Sequence, residues 1–353
     1  MSRAPLRVAV LGAGTVGREV VCALRDRAAD LTAADGAPLA LAGVAVRDIE
    51  RARTRGLPAD LLTDAPAHLV ASPETDVVVE LMGGDEPART LIAAALGAGK
   101  AVVTANKHVI AHHGPELEAL ARRTGAALRF EASVGGGIPV LGPIATELAG
   151  NHLTAVRGIV NGTTNYILTA MADEGRDYAE VLAAAQAAGY AEADPSGDVE
   201  GLDAVNKLVI LARLAFGVWL DPADVANVPT DGPGAGRPGI TGVGAADLAE
   251  ARANGGVIKL IAEAVRGGGA AGATLVASVL PRVVDAGSPL GRTSGVVNRI
   301  EVDGEPVGTV AFAGPGAGGA ATSSAVLGDL IAIARDLGST WAGLPPAVSA
   351  VTR

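Results

Sequence analysis

Leu6–Asp30 reads LRVAVLGAGTVGREVVCALRDRAAD and contains three consecutive patterns. Leu6–Leu11 is a short apolar run rich in β-branched residues, which predicts a buried strand. Gly12–Gly17 (GAGTVG) is a glycine-rich turn, and Arg18–Asp30 has helical periodicity. A G-x-G-x-x-G pattern alone is weak, but a strand before it and a helix after it predict dinucleotide binding.

Five residues of the turn have expected roles in cofactor binding. Gly12 permits the tight turn, Gly14 lets backbone N–H groups approach a pyrophosphate, and Gly17 allows close packing of helix on strand. Thr15 and Val16 start the helix, where unpaired N–H groups and the helix dipole favour an anion.

Further apolar runs follow in the same half of the chain. Leu39–Val46, Asp76–Met82, Lys100–Thr104 and Ala127–Ala132 all resemble buried parallel strands, and helical patterns separate several of them. We therefore predict an α/β fold with a Rossmann-type doubly wound parallel sheet.

The end of the second strand bears on the choice between NADP and NAD. Arg47 follows this strand directly, and an arginine there suits a 2′-phosphate. Asp48 comes next, and an acid at this position would suit the ribose hydroxyls of NAD. A solvated helix face is the alternative for the arginines that follow. We favour NADP and leave NAD open.

Thr104 and Lys107 stand at the carboxyl end of another predicted strand, where ligands bind in open α/β sheets. Lys107 is therefore placed to point at cofactor or substrate, although a lysine after a strand is otherwise usually solvated. A glycine loop, Ser133–Pro139, follows the next strand. It could close over the nicotinamide, hold a monovalent cation on its carbonyls, or simply link two domains.

The most informative stretch is Gly189–Leu220 (GYAEADPSGDVEGLDAVNKLVILARLAFGVWL). Its first half is acidic, and its second half predicts a buried helix from about Glu200 to Phe216. Asp203 and Lys207 lie four residues apart where the polar loop enters that helix. A surface ion pair is the ordinary interpretation of such spacing, but a charged pair at the start of a buried helix costs desolvation free energy and more often marks a site.

The remaining segments predict a second domain of α+β type. Asn161–Asn165 is a polar cluster at a helix start that would suit a small polar substrate. Strand patterns follow at 274–280, 296–302 and 306–312, with Asp303-Gly304 as a hairpin turn. We expect a nucleotide-binding domain at 1–130 plus 306–353, and a substrate-binding, catalytic and dimerisation domain at 131–305.

Composition excludes several classes of function. The net charge of −10 disfavours nucleic acids and anionic membranes as partners, and no run of 18 uncharged apolar residues predicts a membrane span. Cys22 is the only cysteine, which fits a cytoplasmic protein. His108, His112 and His113 cluster without completing a transition-metal site, and no hydrolase or P-loop motif occurs.

Seven segments together resemble the homoserine dehydrogenase family, in the family's order and over about residues 6–340. They are Gly12–Gly17, Val78–Gly84 (VVELMGG), Val103–Lys107 (VTANK), Phe130–Pro139 (FEASVGGGIP), Asn161–Leu168 (NGTTNYIL), Ala187–Leu208 and Gly314–Gly318 (GPGAG). The resemblance implies a short form without the family's C-terminal ACT domain. One departure is Ser288-Pro289-Leu290, where the family usually has His-Pro-Leu.

The resemblance also implies roles for individual residues. Lys207 would exchange a proton with the substrate oxygen, Lys107 would orient cofactor and substrate and assist that transfer, and Glu192 and Asp203 would bind the homoserine ammonium. The resemblance further implies that Gly189 and Gly318 approach the cofactor, and that backbone oxygens of Glu131, Val134, Gly136 and Ile138 hold Na⁺ or K⁺. It also implies a homodimer.

We therefore predict a dehydrogenase that interconverts L-homoserine and L-aspartate 4-semialdehyde with NAD(P)(H), in threonine and methionine biosynthesis. One alternative is a dehydrogenase of another small amino-acid-like alcohol on the same scaffold. A second is a non-catalytic sensor of the NAD(P) redox state, which would have no need of a proton-transfer lysine.

Overall fold

A computed structural model describes residues 4–31, 36–267, 275–341 and 343–349. The chain forms two compact units, one of residues 1–146 and 317–346, the other of residues 147–316 and 347–353. The expected bounds were 1–130 plus 306–353 for one domain and 131–305 for the other, so three segments differ. Residues 131–146 lie in the first unit, whereas 306–316 and 347–353 lie in the second.

Within the described residues up to 146, the elements are, in chain order, β1 Leu6–Leu11, α1 Thr15–Asp26, α2 Ala28–Leu31, β2 Leu39–Ala45, α3 Ile49–Thr54, β3 Leu62–Thr63, α4 Pro66–Ala71, β4 Val77–Glu80, α5 Ala88–Gly97, β5 Ala101–Thr104, α6 Lys107–Thr124, β6 Leu128–Arg129 and α7 Leu141–Ala145. The later part of the chain continues with β7 His152–Ile159, α8 Gly162–Glu174, α9 Tyr178–Ala187, α10 Ser196–Val199, α11 Leu202–Phe216, β8 Val218–Trp219, α12 Ala245–Ala253, β9 Gly256–Arg266, β10 Leu275–Asp285, α13 Pro289–Arg292, β11 Val297–Glu305, β12 Gly308–Pro315, α14 Gly319–Ala334 and β13 Val348–Ser349.

The first unit is built on a parallel sheet with strand order β3-β2-β1-β4-β5-β6. This is the order of doubly wound dinucleotide-binding folds, so the predicted fold class is confirmed. All four residues of β4 are buried, as expected for a parallel strand covered on both faces. The carboxyl ends of these strands share one edge, where Thr104 and Lys107 follow β5.

Two predicted elements of the first unit are much shorter than expected. The strand expected at 127–132 is only β6, after which a 3₁₀ turn runs from Glu131 to Ser133. The sequence of 139–149 also has a helical pattern, but the helix in this segment is only α7, of five residues. The strand segment lies beside the buried Asp329 of α14, whose carboxylate accepts a hydrogen bond from the Glu131 N–H over 2.8 Å. This long-range bond turns the backbone away from the strand.

The second unit is built on an antiparallel sheet with strand order β10-β9-β7-β11-β12. Its helix α11 is buried along most of its length, as predicted. Gly201 precedes this helix with φ +83°, and a Cβ there would lie 3.2 Å from Cγ1 of Val279 on the sheet. A glycine is therefore needed where α11 begins.

The hairpin between β11 and β12 corrects a local prediction. Asp303 and Gly304 were expected to form the turn, but they pair with Thr309 and Gly308 inside the ladder. The turn therefore lies two residues later, around Pro306.

Ser288 stands where the family usually has histidine. It caps α13, and its Oγ accepts a hydrogen bond from the Gly291 N–H over 3.0 Å.

Candidate active site

A buried lysine–aspartate pair lies in the first two turns of α11. Lys207 and Asp203 are 8% and 9% exposed, and Lys207 Nζ donates to Asp203 Oδ2 over 2.7 Å. The i, i+4 spacing puts both side chains on one face of the helix. Lys207 Nζ also donates to the carbonyl oxygen of Val160, at the end of β7, over 2.7 Å. An ammonium has three N–H donors. The bonds to Asp203 and Val160 use two of those of Lys207, so the third can donate to a ligand.

Asn161 and Asp198, which have no individual role in the sequence-based prediction, complete this cluster. Asn161 follows Val160, and its Nδ2 donates to Asp203 Oδ2 over 2.8 Å and to Asp198 Oδ1 over 2.7 Å. The sequence signal was present: Asn161 opens the polar NGTTN cluster, and Asp198 belongs to the acidic half of Gly189–Leu220. Neither pattern shows that the two residues meet.

The charges of this cluster favour a cationic ligand. Asp198 and Asp203 carry two negative charges against the single positive charge of Lys207, which leaves one negative charge in excess. Burial of the Asp203 and Lys207 charges costs free energy of desolvation. The cluster therefore combines a lysine amine that is chemically able to exchange a proton with carboxylates that can attract an ammonium.

The other predicted residues of the second unit lie on the loop between α9 and α10. Gly189 adopts φ +77°, and its N–H donates to the carbonyl oxygen of Gln186 over 3.1 Å. Glu192 is exposed, and its carbonyl oxygen accepts a hydrogen bond from Gln186 Nε2 over 3.0 Å. Among the described residues, the hydrogen bonds of the Lys207 cluster do not include the Glu192 carboxylate.

The glycine turn of the first unit has the shape of a phosphate cradle. Gly12 adopts φ +97°, and a Cβ on Gly17 would lie 2.0 Å from the Gly12 carbonyl oxygen, so both positions require glycine. A Cβ on Gly14 would meet nothing within 4 Å, and the Gly14 side of α1 is open. Thr15 and Val16 begin this helix without a side-chain cap, so their N–H groups suit a pyrophosphate.

The glycine-rich segment Gly314–Gly318 leads into α14, which begins close to the Gly12–Gly17 turn. Gly318 precedes α14 with φ +111° and provides no side-chain cap. A Cβ on Gly319 would lie 2.9 Å from Thr15 Cγ2, and one on Gly137 would lie 2.9 Å from the Ala321 carbonyl oxygen. The starts of α1 and α14 and the loop around Gly137 therefore converge within the first unit.

Arg47 and Asp48 follow β2 and are both exposed. Asp48 caps α3, because its Oδ1 accepts the Arg51 N–H over 2.9 Å. Asp48, the acid that would suit ribose hydroxyls, thus caps a helix, whereas Arg47 follows the carboxyl end of the strand.

Lys107 is the first residue of α6 and is half-buried. Its position is fixed by Asn106, which caps α6 and donates from Nδ2 to the Gly84 carbonyl oxygen over 2.8 Å. Thr104 is fully buried, and its hydroxyl donates to Glu80 Oε2 over 2.6 Å. The Thr104 hydroxyl is thus bonded within the protein at the end of β5.

The predicted cation loop contains a half-buried carboxylate. The Glu131 side chain accepts the N–H groups of Val140, Leu141 and Gly142 over 2.7, 2.8 and 2.8 Å. Burial raises the pKa of Glu131, and the neighbouring Asp329 carboxylate raises it further. The Glu131 carbonyl oxygen accepts the Val134 N–H over 3.4 Å, while Val134, Gly136 and Ile138 are buried. The described residues contain no cluster of three or more His, Cys, Asp or Glu side chains that could hold a metal ion.

None of the helices within the described ranges is long and apolar enough to cross a membrane.

Comparison with known proteins gives a consistent family. The family model described as "Homoserine dehydrogenase, NAD binding domain" matches residues 12–131, and that described as "Homoserine dehydrogenase" matches residues 139–331. A homoserine dehydrogenase of Mycobacterium tuberculosis (strain ATCC 25618 / H37Rv) is 47% identical over 333 residues, which cover 94% of this chain and 73% of that protein.

Two solved structures extend the comparison to the fold. A homoserine dehydrogenase from Thiobacillus denitrificans has a TM-score of 0.89 and 35% identity, and the match covers 99% of this chain and 80% of that one. A hyperthermophilic archaeal homoserine dehydrogenase in complex with NADPH has a TM-score of 0.75 and 27% identity, with coverage of 93% and 97%.

Proposed function

The chain belongs to the homoserine dehydrogenase family and is an oxidoreductase that interconverts L-homoserine and L-aspartate 4-semialdehyde, and on that premise we propose how its residues carry out the reaction. The family's general role is in threonine and methionine biosynthesis. In our proposal, Lys207 exchanges the proton of the substrate oxygen, and the carboxylates beside it hold the substrate ammonium. The buried contact of Lys207 with Asp203 is the observation that carries the proposal.

Oxidation of homoserine removes a hydride from the terminal carbon and a proton from its hydroxyl. The nicotinamide cofactor, when bound, supplies the hydride acceptor or donor. In the direction of oxidation the neutral Lys207 amine takes the hydroxyl proton, and in the direction of reduction the Lys207 ammonium donates a proton to the carbonyl oxygen. Its contacts with Val160 and Asp203 fix the direction in which Nζ points.

The substrate ammonium would be held by carboxylates. Asp203 is the central group, and Asp198 adds a second charge through the same cluster. We propose Glu192 as a further ligand from its exposed loop, on the strength of the family resemblance. Lys107 would orient cofactor and substrate and assist the proton transfer, and its place at the start of α6 after β5 supports that role.

For the cofactor we propose that Gly12, Gly14, Thr15, Val16 and Gly17 surround the pyrophosphate. We propose further contacts from Thr104, Lys107, Gly189 and Gly318. NADP is the preferred form in our proposal, because Arg47 is exposed after β2 while Asp48 is engaged as a helix cap. The archaeal relative in complex with NADPH supports this preference.

We further propose that Na⁺ or K⁺ binds the backbone oxygens of Glu131, Val134, Gly136 and Ile138. The left-handed backbone at Gly135 and Gly136, with φ +72° and +58°, supports a loop whose carbonyls turn to one side. We also propose a cytoplasmic location, which the single cysteine supports.

Self-association as a homodimer through the second unit is part of the same proposal. Ten large apolar side chains of the described residues are exposed, and all except Leu337 belong to the second unit. Exposed apolar surface concentrated in one unit favours an interface there.

A spectrophotometric assay at 340 nm tests the function directly. We expect reduction of NADP with L-homoserine, slower reduction of NAD, and little reaction with serine, threonine or 1,4-butanediol. Turnover of another amino alcohol with none of homoserine would favour a different dehydrogenase, and cofactor binding without turnover of any substrate would favour a sensor.

A further inference from the structure

Asn161 stands where β7 ends and α8 begins, and it contacts both carboxylates of the cluster. The residue is 5% exposed, and its Nδ2 lies 2.7 Å from Asp198 Oδ1 and 2.8 Å from Asp203 Oδ2. We propose that Asn161 is a positioning residue of the homoserine reaction, which joins Asp198 and Asp203 into one receptor for the substrate ammonium and holds Asp203 against Lys207. This inference rests on the function proposed for Asp203 and Lys207.

The orientation of the Asn161 amide follows from its partners. Asn161 caps α8, and its Oδ1 accepts the Thr164 N–H over 2.8 Å. A backbone N–H can only donate, and ionised carboxylates can only accept, so the reversed amide would place donor against donor and acceptor against acceptor. The cap thereby directs both N–H bonds of Nδ2 at Asp198 and Asp203.

The two carboxylates that share the Asn161 amide repel each other, and a donor between them offsets part of that repulsion. Both protons of the Asn161 amide are used in this way, one for each carboxylate. Asp203 Oδ2 accepts from Asn161 on one side and from Lys207 on the other, while the adjacent residue, Val160, accepts from Lys207 Nζ. The end of one strand thus fixes the carboxylates and the proton-transfer group together.

Asn161→Asp is the most informative variant. It keeps the shape of the side chain and the oxygen that accepts the Thr164 N–H. It replaces the amide NH2 donor with an oxygen, which adds a third carboxylate beside Asp198 and Asp203. At pH 8 to 9 we expect kcat/KM for homoserine to fall about 10- to 100-fold, the effect of losing hydrogen bonds to charged groups. KM for homoserine should rise and kcat should fall, while the Kd of the cofactor, measured by fluorescence, stays unchanged.

The pH profile separates positioning from a merely structural effect. A protonated aspartic acid has one O–H donor, so Asn161→Asp should recover part of its kcat/KM, relative to the wild type, as the pH falls. Asn161→Ser keeps a helix-capping oxygen but cannot supply both donors, so it should show the loss without recovery in acid. Asp177→Ser, at the cap of α9 in the same unit, is the matched control and should keep wild-type kinetics.

Kinetic constants of Asn161→Asp and Asn161→Ser within twofold of the wild type would overturn the inference and leave the proposed function intact. If the wild type itself fails to oxidise homoserine, the proposed function falls. Crystal structures of wild type and Asn161→Ser would then decide: separated carboxylates of Asp198 and Asp203 would support the positioning role, and unchanged carboxylates would overturn it.

Discussion

At the scale of single residues, the site depends on charges held inside a protein. Lys207 and Asp203 are buried, so each would be costly alone, and each is stabilised by a partner in hydrogen-bonding contact. Removal of one member therefore does more than remove a contact, since it leaves the other charge buried and unbalanced.

Lys207→Ala should lower kcat about 100-fold or more, the scale of general acid–base catalysis, while cofactor binding is retained. Steady-state kinetics and cofactor titration of the variant would check this. Lys259→Met is the matched control, because Lys259 is also a buried lysine of the second unit, at 4% exposure. Near-normal turnover of Lys207→Ala would remove this residue from the mechanism.

Arg47→Ala should reduce the proposed preference for NADP over NAD about tenfold, because the charged contact that we propose between Arg47 and the 2′-phosphate would be lost. The measurement is the ratio of kcat/KM for the two cofactors. Arg55→Ala, in the same segment, should leave that ratio unchanged. A similar loss in both variants would point to the general charge of the segment and not to Arg47.

At the scale of elements, the pattern of the sequence predicted best where it was local. The strand, glycine turn and helix from Leu6 onward needed only neighbouring residues, and α11 was predicted to within two residues of its observed start at Leu202. The short β6 and the displaced hairpin turn depend on distant partners, Asp329 for the first and the register with β12 for the second. Asn161 belongs to this second class, because its role depends on carboxylates 37 and 42 residues later.

The Glu131 side chain joins elements of the first unit, and its titration should be visible in stability. Its pKa is raised above the ordinary 4.5, mainly by burial, so the folded protein holds this proton to higher pH than the unfolded chain does. The resulting stability is fully present below pH 4.5 and is lost as pH rises through the raised pKa. Glu131→Gln should therefore show a flatter dependence of unfolding free energy on pH, measured by urea denaturation.

The exposed Glu50→Gln in the same unit is the control for Glu131→Gln and should retain the wild-type pH dependence. Parallel curves for wild type and Glu131→Gln would contradict the prediction.

Lys259 links β9 to α8, since its Nζ donates to Asn165 Oδ1 over 2.9 Å. Burial lowers the pKa of Lys259 from 10.5 to about 8. Between these values the unfolded chain binds more protons than the folded one, so stability should rise with pH by up to about 3 kcal/mol. In Lys259→Met the rise of the unfolding free energy with pH should be absent, and denaturation at pH 7, 8.5 and 10 would measure it. An equal rise in the variant would show that other groups cause the pH dependence.

At the scale of the whole molecule, the two units have different surfaces. The first unit exposes one large apolar side chain among its described residues, Leu337, whereas the second exposes nine. Val276 and Val297 share one face of the antiparallel sheet. Across the strands, Val276 pairs with Val265, Val265 with Ala155, and Ala155 with Asp303. Asp303 and Val297 lie on the same strand, an even number of residues apart, and therefore on the same face. The same face carries charged side chains, among them Arg157 and Glu263, which form an ion pair over 3.3 Å. The two exposed valines at its margins are the candidate contacts for self-association.

Sedimentation equilibrium should therefore give twice the protomer mass for the wild type. Val276→Glu should weaken association at least tenfold, because the carboxylate would have to lose its water when the two copies meet. Leu337→Glu is matched to it, since both side chains are 56% exposed, and it should leave association unchanged. A dimer that is weakened by Leu337→Glu and untouched by Val276→Glu would move the interface to the first unit, and a monomeric wild type would remove it altogether.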